Sequence, residues 1–318
     1  MRRRMLVSNR TSFCRLLCAL ALTLAPLHST LSAAQAASDA WSVTDVMVTD
    51  DTGQELHFNQ APQRIIALSP SITENLFAIG AGSRVVGVSS YSDYPQEAKN
   101  LPIISDYQNI DLEAIVKLKP DVVVAWQGGQ SPAQLNALKQ LNIPIFYHHI
   151  HTLADIPLSL MRLSQMTGNQ REAAPLIARA YAQIPLLAQA PQPSLNAFYQ
   201  VWPRPLMTIN GNSWISDALA RCGARNLFAD LPVTAPTVNV EDVLTRQPDL
   251  ILSATPRGQA DDSLDFWRTW PHIPAITHNG LIYTEGDAMN RSTLRTLAAS
   301  ERLCRQIAQV RTTLVTNK

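Results

Sequence analysis

The chain has 318 residues, of which 46% are hydrophobic and 6% aromatic, and its formal net charge is +1 at pH 7. The first 36 residues carry five arginines and no acidic residue, so their removal changes the net charge to −4. A mildly acidic chain lacks the basic surface that nucleic acids require, so we expect no nucleic-acid partner. The length and apolar content suffice for two lobes with buried cores.

Residues 1–36 have the layout of a secretory signal peptide. An arginine-rich start precedes an apolar stretch around Leu16–Leu24, and small residues follow at Ala34 and Ala36. The apolar stretch is too short to span a bilayer. We therefore expect cleavage after Ala36 and export of the remaining chain. A twin-arginine route, suggested by Arg2-Arg3, is the alternative to the general secretory route.

Two cysteines remain after that cleavage, Cys222 and Cys304. An isolated pair in an oxidising compartment indicates one disulfide bond. Two buried free thiols are the alternative.

The exported chain reads as a tail and hairpin followed by an α/β body. Residues 37–61 form the tail and the hairpin, with a turn at Asp51-Thr52-Gly53. Beyond them, short strands rich in Val, Ile and Leu alternate with helices, which predicts parallel sheets covered on both faces. We assign residues 62–168 to a first lobe, 169–190 to an interlobe helix and 191–318 to a second lobe.

The interlobe helix has sequence signals at both ends. Asn169 and Glu172 have the spacing of a capping box, so we expect the helix to start there, after a stop at Gly168. It should run to about Gln189, although Pro185 predicts a kink or an early end. A single helix between two lobes should permit only small relative motion.

The two lobes resemble each other. DLEAIVKLKPDVVVA, starting at Asp111, recurs as NVEDVLTRQPDLILSA, starting at Asn239. Each copy places a glutamate at a helix start, and the offset between Glu113 and Glu241 is 128 residues. That offset is too long for a solenoid repeat and fits a whole lobe. Chance similarity between common β-α units is the alternative.

Aromatic residues concentrate where the predicted strands end. Open parallel sheets bind ligands beyond the carboxyl ends of their strands. Five rings fall on loops at those ends although aromatics are scarce: Tyr91, Tyr94, Trp126, Trp202 and Trp214. This pattern favours a large, flat, partly apolar ligand in a cleft between the lobes. The alternative is that single rings merely cap the sheets.

The sequence contains no catalytic motif of the G-x-S-x-G, phosphate-loop or H-E-x-x-H kind. It does contain His148-His149-Ile150-His151 at the end of a predicted strand. Alternate residues of a strand point the same way, so at most His149 and His151 converge. A metal site, a polar cleft rim and satisfied or solvated histidines remain open as interpretations. We expect no metal site, no resident cofactor and no enzymatic activity.

Four segments resemble one family: SSYSDYP at 89–95, DLEAIVKLKPDVVVAWQGG at 111–129, ARCGARNLF at 220–228 and ERLCRQIAQV at 301–310. They are similar to the cobalamin-binding branch of the helical-backbone periplasmic binding proteins, whose other members carry ferric siderophores and haem. The resemblance covers about residues 62–310. It implies a monomer in the periplasm that captures a corrinoid as transported ligand and delivers it to the permease of an ABC importer.

The resemblance also implies roles for particular residues. Glu113 and Glu241 match the family's permease-docking glutamates, and Cys222 and Cys304 match its disulfide. Implied ligand contacts are Tyr91, Tyr107, Trp126, Trp202, Asp287, Ala288, Met289, Asn290 and Arg291. Tyr107 stands where the family has a tryptophan, and a second family tryptophan falls near Ala235, where this chain has no ring.

Two other functions compete with corrinoid capture. A haem or ferric-siderophore carrier of the same fold is favoured if Arg204, Arg257 and Arg291 line the cleft. An enzyme acting on the captured compound is disfavoured by the missing nucleophile and acid-base pair.

Overall fold

A computed structural model describes residues 44–106, 109–187, 194–255 and 264–316. The signal peptide predicted at residues 1–36 lies outside these ranges, as do the predicted ligand contact Tyr107 and the candidate cleft residue Arg257. No helix in the described ranges is long and apolar enough to cross a membrane.

The predicted hairpin near the N-terminus is confirmed. Strands β1 (Thr44–Thr49) and β2 (Glu55–Gln60) pair antiparallel. The carboxylate of Asp50 closes the turn by accepting hydrogen bonds from the backbone amides of Thr52, at 2.8 Å, and Gln54, at 3.0 Å. The buried carboxylate of Asp51 pairs with Arg162 at 2.9 Å, which anchors the hairpin to the first lobe.

The first lobe is built on a parallel sheet of five strands in the order β5-β4-β3-β6-β7. The strands are β3 (Ile65–Ala67), β4 (Val85–Ser89), β5 (Ile103–Ser105), β6 (Val122–Trp126) and β7 (Ile145–His148). The helices are α1 (Pro70–Ala78), α2 (Leu112–Leu118), α3 (Pro132–Gln140) and α4 (Asp155–Thr167). Short 3₁₀ turns cover Gly82–Arg84 and Gln96–Asn100.

The helix predicted between the lobes is shorter than expected. Helix α5 spans Gln170–Gln183, and a 3₁₀ turn at Ile184–Leu187 follows it, so the early end predicted from Pro185 is confirmed and the full length to about Gln189 is not reached. Pro185 lacks the amide hydrogen that a continued helix would use there. The expected capping box is also absent, since the Asn169 amide donates to the Glu172 carboxylate at 3.2 Å instead of accepting from the backbone.

The second lobe is built on a parallel sheet of four strands in the order β11-β8-β12-β13, beside a small antiparallel pair, β9 and β10. The strands are β8 (Leu195–Gln200), β9 (Trp202–Pro203), β10 (Leu206–Met207), β11 (Ala224–Asn226), β12 (Leu250–Thr255) and β13 (Leu281–Glu285). The helices are α6 (Trp214–Arg221), α7 (Val240–Thr245), α8 (Pro274–Thr277), α9 (Gly286–Met289) and α10 (Leu294–Thr316), and a 3₁₀ turn covers Asp265–Thr269.

The order of strands confirms that the lobes are similar. The order β4-β3-β6-β7 of the first sheet corresponds to β11-β8-β12-β13 of the second, and the first sheet adds β5 at its edge.

The aspartate of the repeated Pro-Asp pair has the same structural role in both lobes. The Asp121 carboxylate accepts from the backbone amide of Arg64 at 2.9 Å, and the Asp249 carboxylate accepts from that of Asn196 at 2.7 Å. Each aspartate therefore ties the start of its strand to the start of the neighbouring strand.

Both sheets are covered on two faces, as predicted. One apolar cluster runs through both lobes and the helix between them, with members such as Val124, Ile177 and Leu252. The outer face of the first sheet packs in a separate cluster around Ile115, and that of the second around Trp267. The shared inner core gives the lobes a common apolar support.

The predicted bond between Cys222 and Cys304 is present. Cys222 ends α6 and Cys304 lies in α10, with their Cα atoms 4.5 Å apart. The bond links α6, the first helix of the second lobe, to α10.

Candidate functional site

The candidate site lies at the carboxyl ends of the strands in both sheets, where the loops that follow β4, β6, β8 and β13 carry the predicted ligand contacts. On the first lobe, Tyr91 follows β4 and is 77% exposed. Trp126 ends β6 and is 37% exposed. A Cβ atom at position 129 would come within 2.2 Å of the Trp126 ring, so this ring requires glycine at Gly129.

The second lobe contributes an exposed ring and a polar group. Trp202 in β9 is 54% exposed, and its indole nitrogen donates to the carbonyl of Arg204 at 3.0 Å. The exposed Asn290 follows α9, and its side-chain oxygen accepts from the Tyr199 hydroxyl at 3.0 Å. Burial raises the pKa of Tyr199, so the phenol stays protonated and serves as the donor.

Arg291 connects the two lobes across the site. Its guanidinium lies 2.7 Å from the Asp93 carboxylate and donates to the Tyr91 carbonyl at 3.2 Å, both on the first lobe. The carboxylate of Asp287, on its own lobe, lies 3.7 Å away. The structure thus brings the predicted residues Tyr91, Asp287 and Arg291 together, and it adds Asp93, which sequence reasoning missed.

Two of the predicted ligand contacts, Ala288 and Met289, lie inside the protein. They are 3% and 0% exposed, and both belong to the inner apolar core. The one-turn helix α9 directs them inward, whereas Asp287 and Asn290 keep exposed surface. The carbonyl of Met289 also accepts from the indole of Trp214 at 2.9 Å. Trp214, predicted on a loop, is the first residue of α6, and its ring fixes α6 against α9.

A second contact between the lobes joins α1 to the start of α10. Both carboxylate oxygens of Glu74 are engaged by Arg295, at 2.7 Å and 2.6 Å, and the Thr293 hydroxyl donates to the same carboxylate at 2.8 Å. The guanidinium of Arg295 also stacks over the ring of Tyr94, 4.1 Å from its centre. The only hint in the sequence is that Glu74 is the one charged residue of α1.

His148 is part of the same region between the lobes. It is 1% exposed, and the Asn75 amide donates to its Nε2 at 3.3 Å and to the carbonyl of Ser292 at 3.1 Å. Burial lowers the pKa of His148, although the charge of Asp51 opposes the shift. The side chain is therefore a neutral, buried acceptor rather than part of an exposed rim.

The other two histidines of the cluster converge as expected. The rings of His149 and His151 lie 3.8 Å apart and are nearly perpendicular. Partial burial and the neighbouring His151 lower the pKa of His149, while Asp51 and Asp155 act in the opposite direction. Within the described ranges, no group of three histidine, cysteine or acidic residues is placed to hold a metal ion.

Glu113 and Glu241 occupy equivalent positions outside the cleft loops. Each is the second residue of its helix, α2 and α7 respectively, and each is exposed. Glu113 pairs with Lys117 at 2.7 Å, but both side chains are at least 72% exposed. Such a pair holds the glutamate only weakly, because water and salt screen it. Both carboxylates remain accessible to a partner.

Comparison with known proteins gives a consistent result. A family model described as periplasmic binding protein matches residues 65–288. The vitamin B12-binding protein of Vibrio campbellii is 36% identical over 256 residues, which is 80% of this chain and 92% of that protein. The vitamin B12-binding protein of Yersinia pestis is 36% identical over 255 residues, which is 80% of this chain and 89% of that protein.

Solved structures agree with the sequence matches. The crystal structure of the periplasmic vitamin B12 binding protein BtuF of Vibrio cholerae has a TM-score of 0.72 at 31% identity, covering 79% of this chain and 98% of that one. The periplasmic heme-binding protein RhuT from Roseiflexus sp. RS-1 has a TM-score of 0.66 at 23% identity, covering 78% of this chain and 98% of that one, which shows a shared fold.

Proposed function

Because the chain belongs to the periplasmic binding protein family, we propose that it captures a corrinoid such as cobalamin and delivers it to the permease of an ABC importer. The observation that carries this proposal is the 36% identity to proteins named vitamin B12-binding protein, sustained over 80% of the chain. The corrinoid, with its cobalt, is the transported ligand and not a resident cofactor.

The exposed groups of the site suit such a ligand. A corrinoid presents a broad apolar face and a fringe of amides. Tyr91, Trp126 and Trp202 supply rings with free surface, which suits the apolar face. Asp287 and Asn290 supply hydrogen-bonding groups for the amides, and the largely buried Arg291 beside Asp287 stays a further predicted contact. Tyr107 remains a further predicted contact.

A haem or ferric-siderophore carrier is the second candidate, and it depends on free cationic groups in the cleft. Arg291 is the arginine placed there most clearly, but Asp93 and Asp287 already surround its guanidinium. This arrangement favours a neutral ligand over haem, because the carboxylates of haem need cationic groups that are not already paired. The visible absorption of the protein purified from its own host distinguishes the two, because corrinoids, haem and ferric chelates have different spectra.

Delivery requires a surface that the permease recognises in both lobes. We propose that Glu113 and Glu241 form this surface, that the protein acts as a monomer, and that the segment 1–36 directs it to the periplasm. A helix dipole alone would favour an acidic residue in the first turn. It acts on each helix separately, so it explains less well why both lobes have an exposed glutamate at the same position.

Reversing Glu113 or Glu241 to arginine should slow ligand uptake by cells several-fold while ligand affinity changes less than twofold. The reason is that opposite charges across an interface guide docking, whereas these side chains lie outside the cleft loops. The double variant should be slower than either single one, because both lobes engage one permease at the same time. Uptake of labelled cyanocobalamin and titration of the purified variants measure the two effects.

Glu301→Arg is the matched control, because Glu301 is an exposed glutamate of α10 that pairs only within its own helix, with Arg305. It should leave both uptake and affinity unchanged. Equal losses of affinity and uptake in the Glu113 and Glu241 variants would place these residues in the ligand site and defeat the docking proposal.

A further inference from the structure

Arg291 is held mainly by the opposite lobe. Its side chain is 11% exposed, and its closest charged partner is Asp93 of the first lobe, at 2.7 Å. Asp287, its neighbour on the same lobe, lies at 3.7 Å, beyond ordinary hydrogen-bond distance. The position of this guanidinium therefore depends on a carboxylate that the opposite lobe contributes.

The electrostatics agree with this geometry. Burial on its own would raise the pKa of Asp93, but the hydrogen bond and the charge of Arg291 outweigh it and hold that pKa below its ordinary value. Asp93 is thus ionised throughout the neutral pH range. A charge-assisted hydrogen bond of this length is stronger than one between neutral groups.

The same arginine supports the turn that carries Tyr91. Tyr91 has a φ of +63°, a left-handed conformation that costs free energy in residues other than glycine. Its carbonyl accepts from the amide of Asp93 at 3.0 Å and from Arg291 at 3.2 Å. Asp93 therefore acts on the turn twice, once through its own amide and once by holding Arg291 in place.

We propose that Asp93 is a positioning residue, which holds Arg291 and the Tyr91 turn in place between the lobes before ligand binds. This inference rests on the proposed function for its ligand, because it treats Arg291 and Tyr91 as the groups that corrinoid meets. It goes beyond that function by assigning a role to a residue outside the expected ligand contacts. Groups fixed before binding lose less conformational freedom when the ligand binds.

The test is a double-mutant cycle on Asp93→Asn and Arg291→Gln, read by titration with cyanocobalamin. Asp93→Asn should weaken binding about 5- to 20-fold, because asparagine keeps an acceptor for Arg291 but loses the charge that strengthens the hydrogen bond. The double variant should bind about as weakly as Arg291→Gln alone, because Asp93 acts through the arginine. Asp93→Asn should lose some stability but remain fully folded at the titration temperature, and thermal unfolding checks this, which separates positioning from a loss of folding.

A second measurement does not depend on the ligand. In the free protein, Asp93→Asn should speed amide hydrogen exchange at 91–93 and also at 287–291 on the other lobe, because both segments lose a shared contact. Glu301→Gln, which removes a pair within one helix, should leave both segments unchanged.

The outcomes separate the two proposals. Wild-type protein that ignores cyanocobalamin would contradict the proposed function, and the exchange measurement would still decide the role of Asp93. Unchanged exchange in both segments would overturn the positioning role. The positioning role would also be overturned if Asp93→Asn binds cyanocobalamin within twofold of the wild type. It would be overturned as well if the double variant loses affinity by the product of the two single losses.

Discussion

Replacing Cys222 and Cys304 with alanine is expected to lower the free energy of unfolding by about 3–5 kcal/mol. The bond joins residues 82 positions apart, so it restricts a large part of the unfolded chain. Its two ends lie in α6 and α10, and the segment between them contains most of the second lobe. Denaturant titration of the double variant and the wild type measures the difference.

Reduction of the wild type provides the control. A reductant should lower its stability to about that of the double variant and should leave the double variant unaffected. Intact mass should change by two hydrogens on reduction of the wild type alone. Equal unfolding midpoints for the oxidised wild type and the double variant would show that the bond does not contribute to stability.

Glu74→Ala should destabilise the protein by about 2–4 kcal/mol. The Glu74 side chain is 5% exposed and that of Arg295 is 28% exposed, so the substitution leaves a largely buried guanidinium without its carboxylate. Removing one partner of a buried pair typically costs about 3–5 kcal/mol, and the partial exposure of Arg295 lowers that figure. Thermal or denaturant unfolding measures the effect.

Glu301→Ala is the comparison, because its pair with Arg305 is about 60% exposed on both sides. It should cost less than about 1 kcal/mol, as exposed pairs do. Glu74→Gln should fall between the two, because it keeps the shape and loses the charge. If Glu74→Ala is no worse than Glu301→Ala, the contact between α1 and α10 contributes little to holding the lobes together.

The repeated architecture could be predicted because short sequence patterns determine it. Apolar strands, the glutamate at a helix start and the Pro-Asp break occur in both halves, and each is a short-range signal. The hairpin turn is equally local, since Asp50 bonds residues two and four positions away. The disulfide could be predicted from the two cysteines that follow a predicted export signal, because only one pairing of them exists.

The contacts between the lobes could not be predicted in the same way. Glu74 and Arg295 are separated by 221 residues, and their meeting depends on how two complete lobes pack. The same holds for Asp93 and Arg291, 198 residues apart. Nothing in a local pattern distinguishes such an aspartate from any exposed loop residue.

The burial of Ala288 and Met289 could not be predicted for a related reason. The resemblance assigned the whole segment 287–291 to the ligand. A short helix there divides the segment, so that Ala288 and Met289 pack inward while their neighbours stay at the surface. A single turn of helix has too few residues to show a periodic pattern, so the direction of each side chain could be read only from the structure.

The central claim is that the cleft binds a corrinoid, and calorimetric titration of the mature protein tests it most directly. The ligands are cyanocobalamin, cobinamide, haemin and a ferric siderophore, each added to ligand-free protein. We expect saturable binding of cyanocobalamin or cobinamide, with haemin and the siderophore at least a hundredfold weaker. Saturable binding of haemin or the siderophore, together with no response to either corrinoid at high micromolar concentration, would contradict the claim.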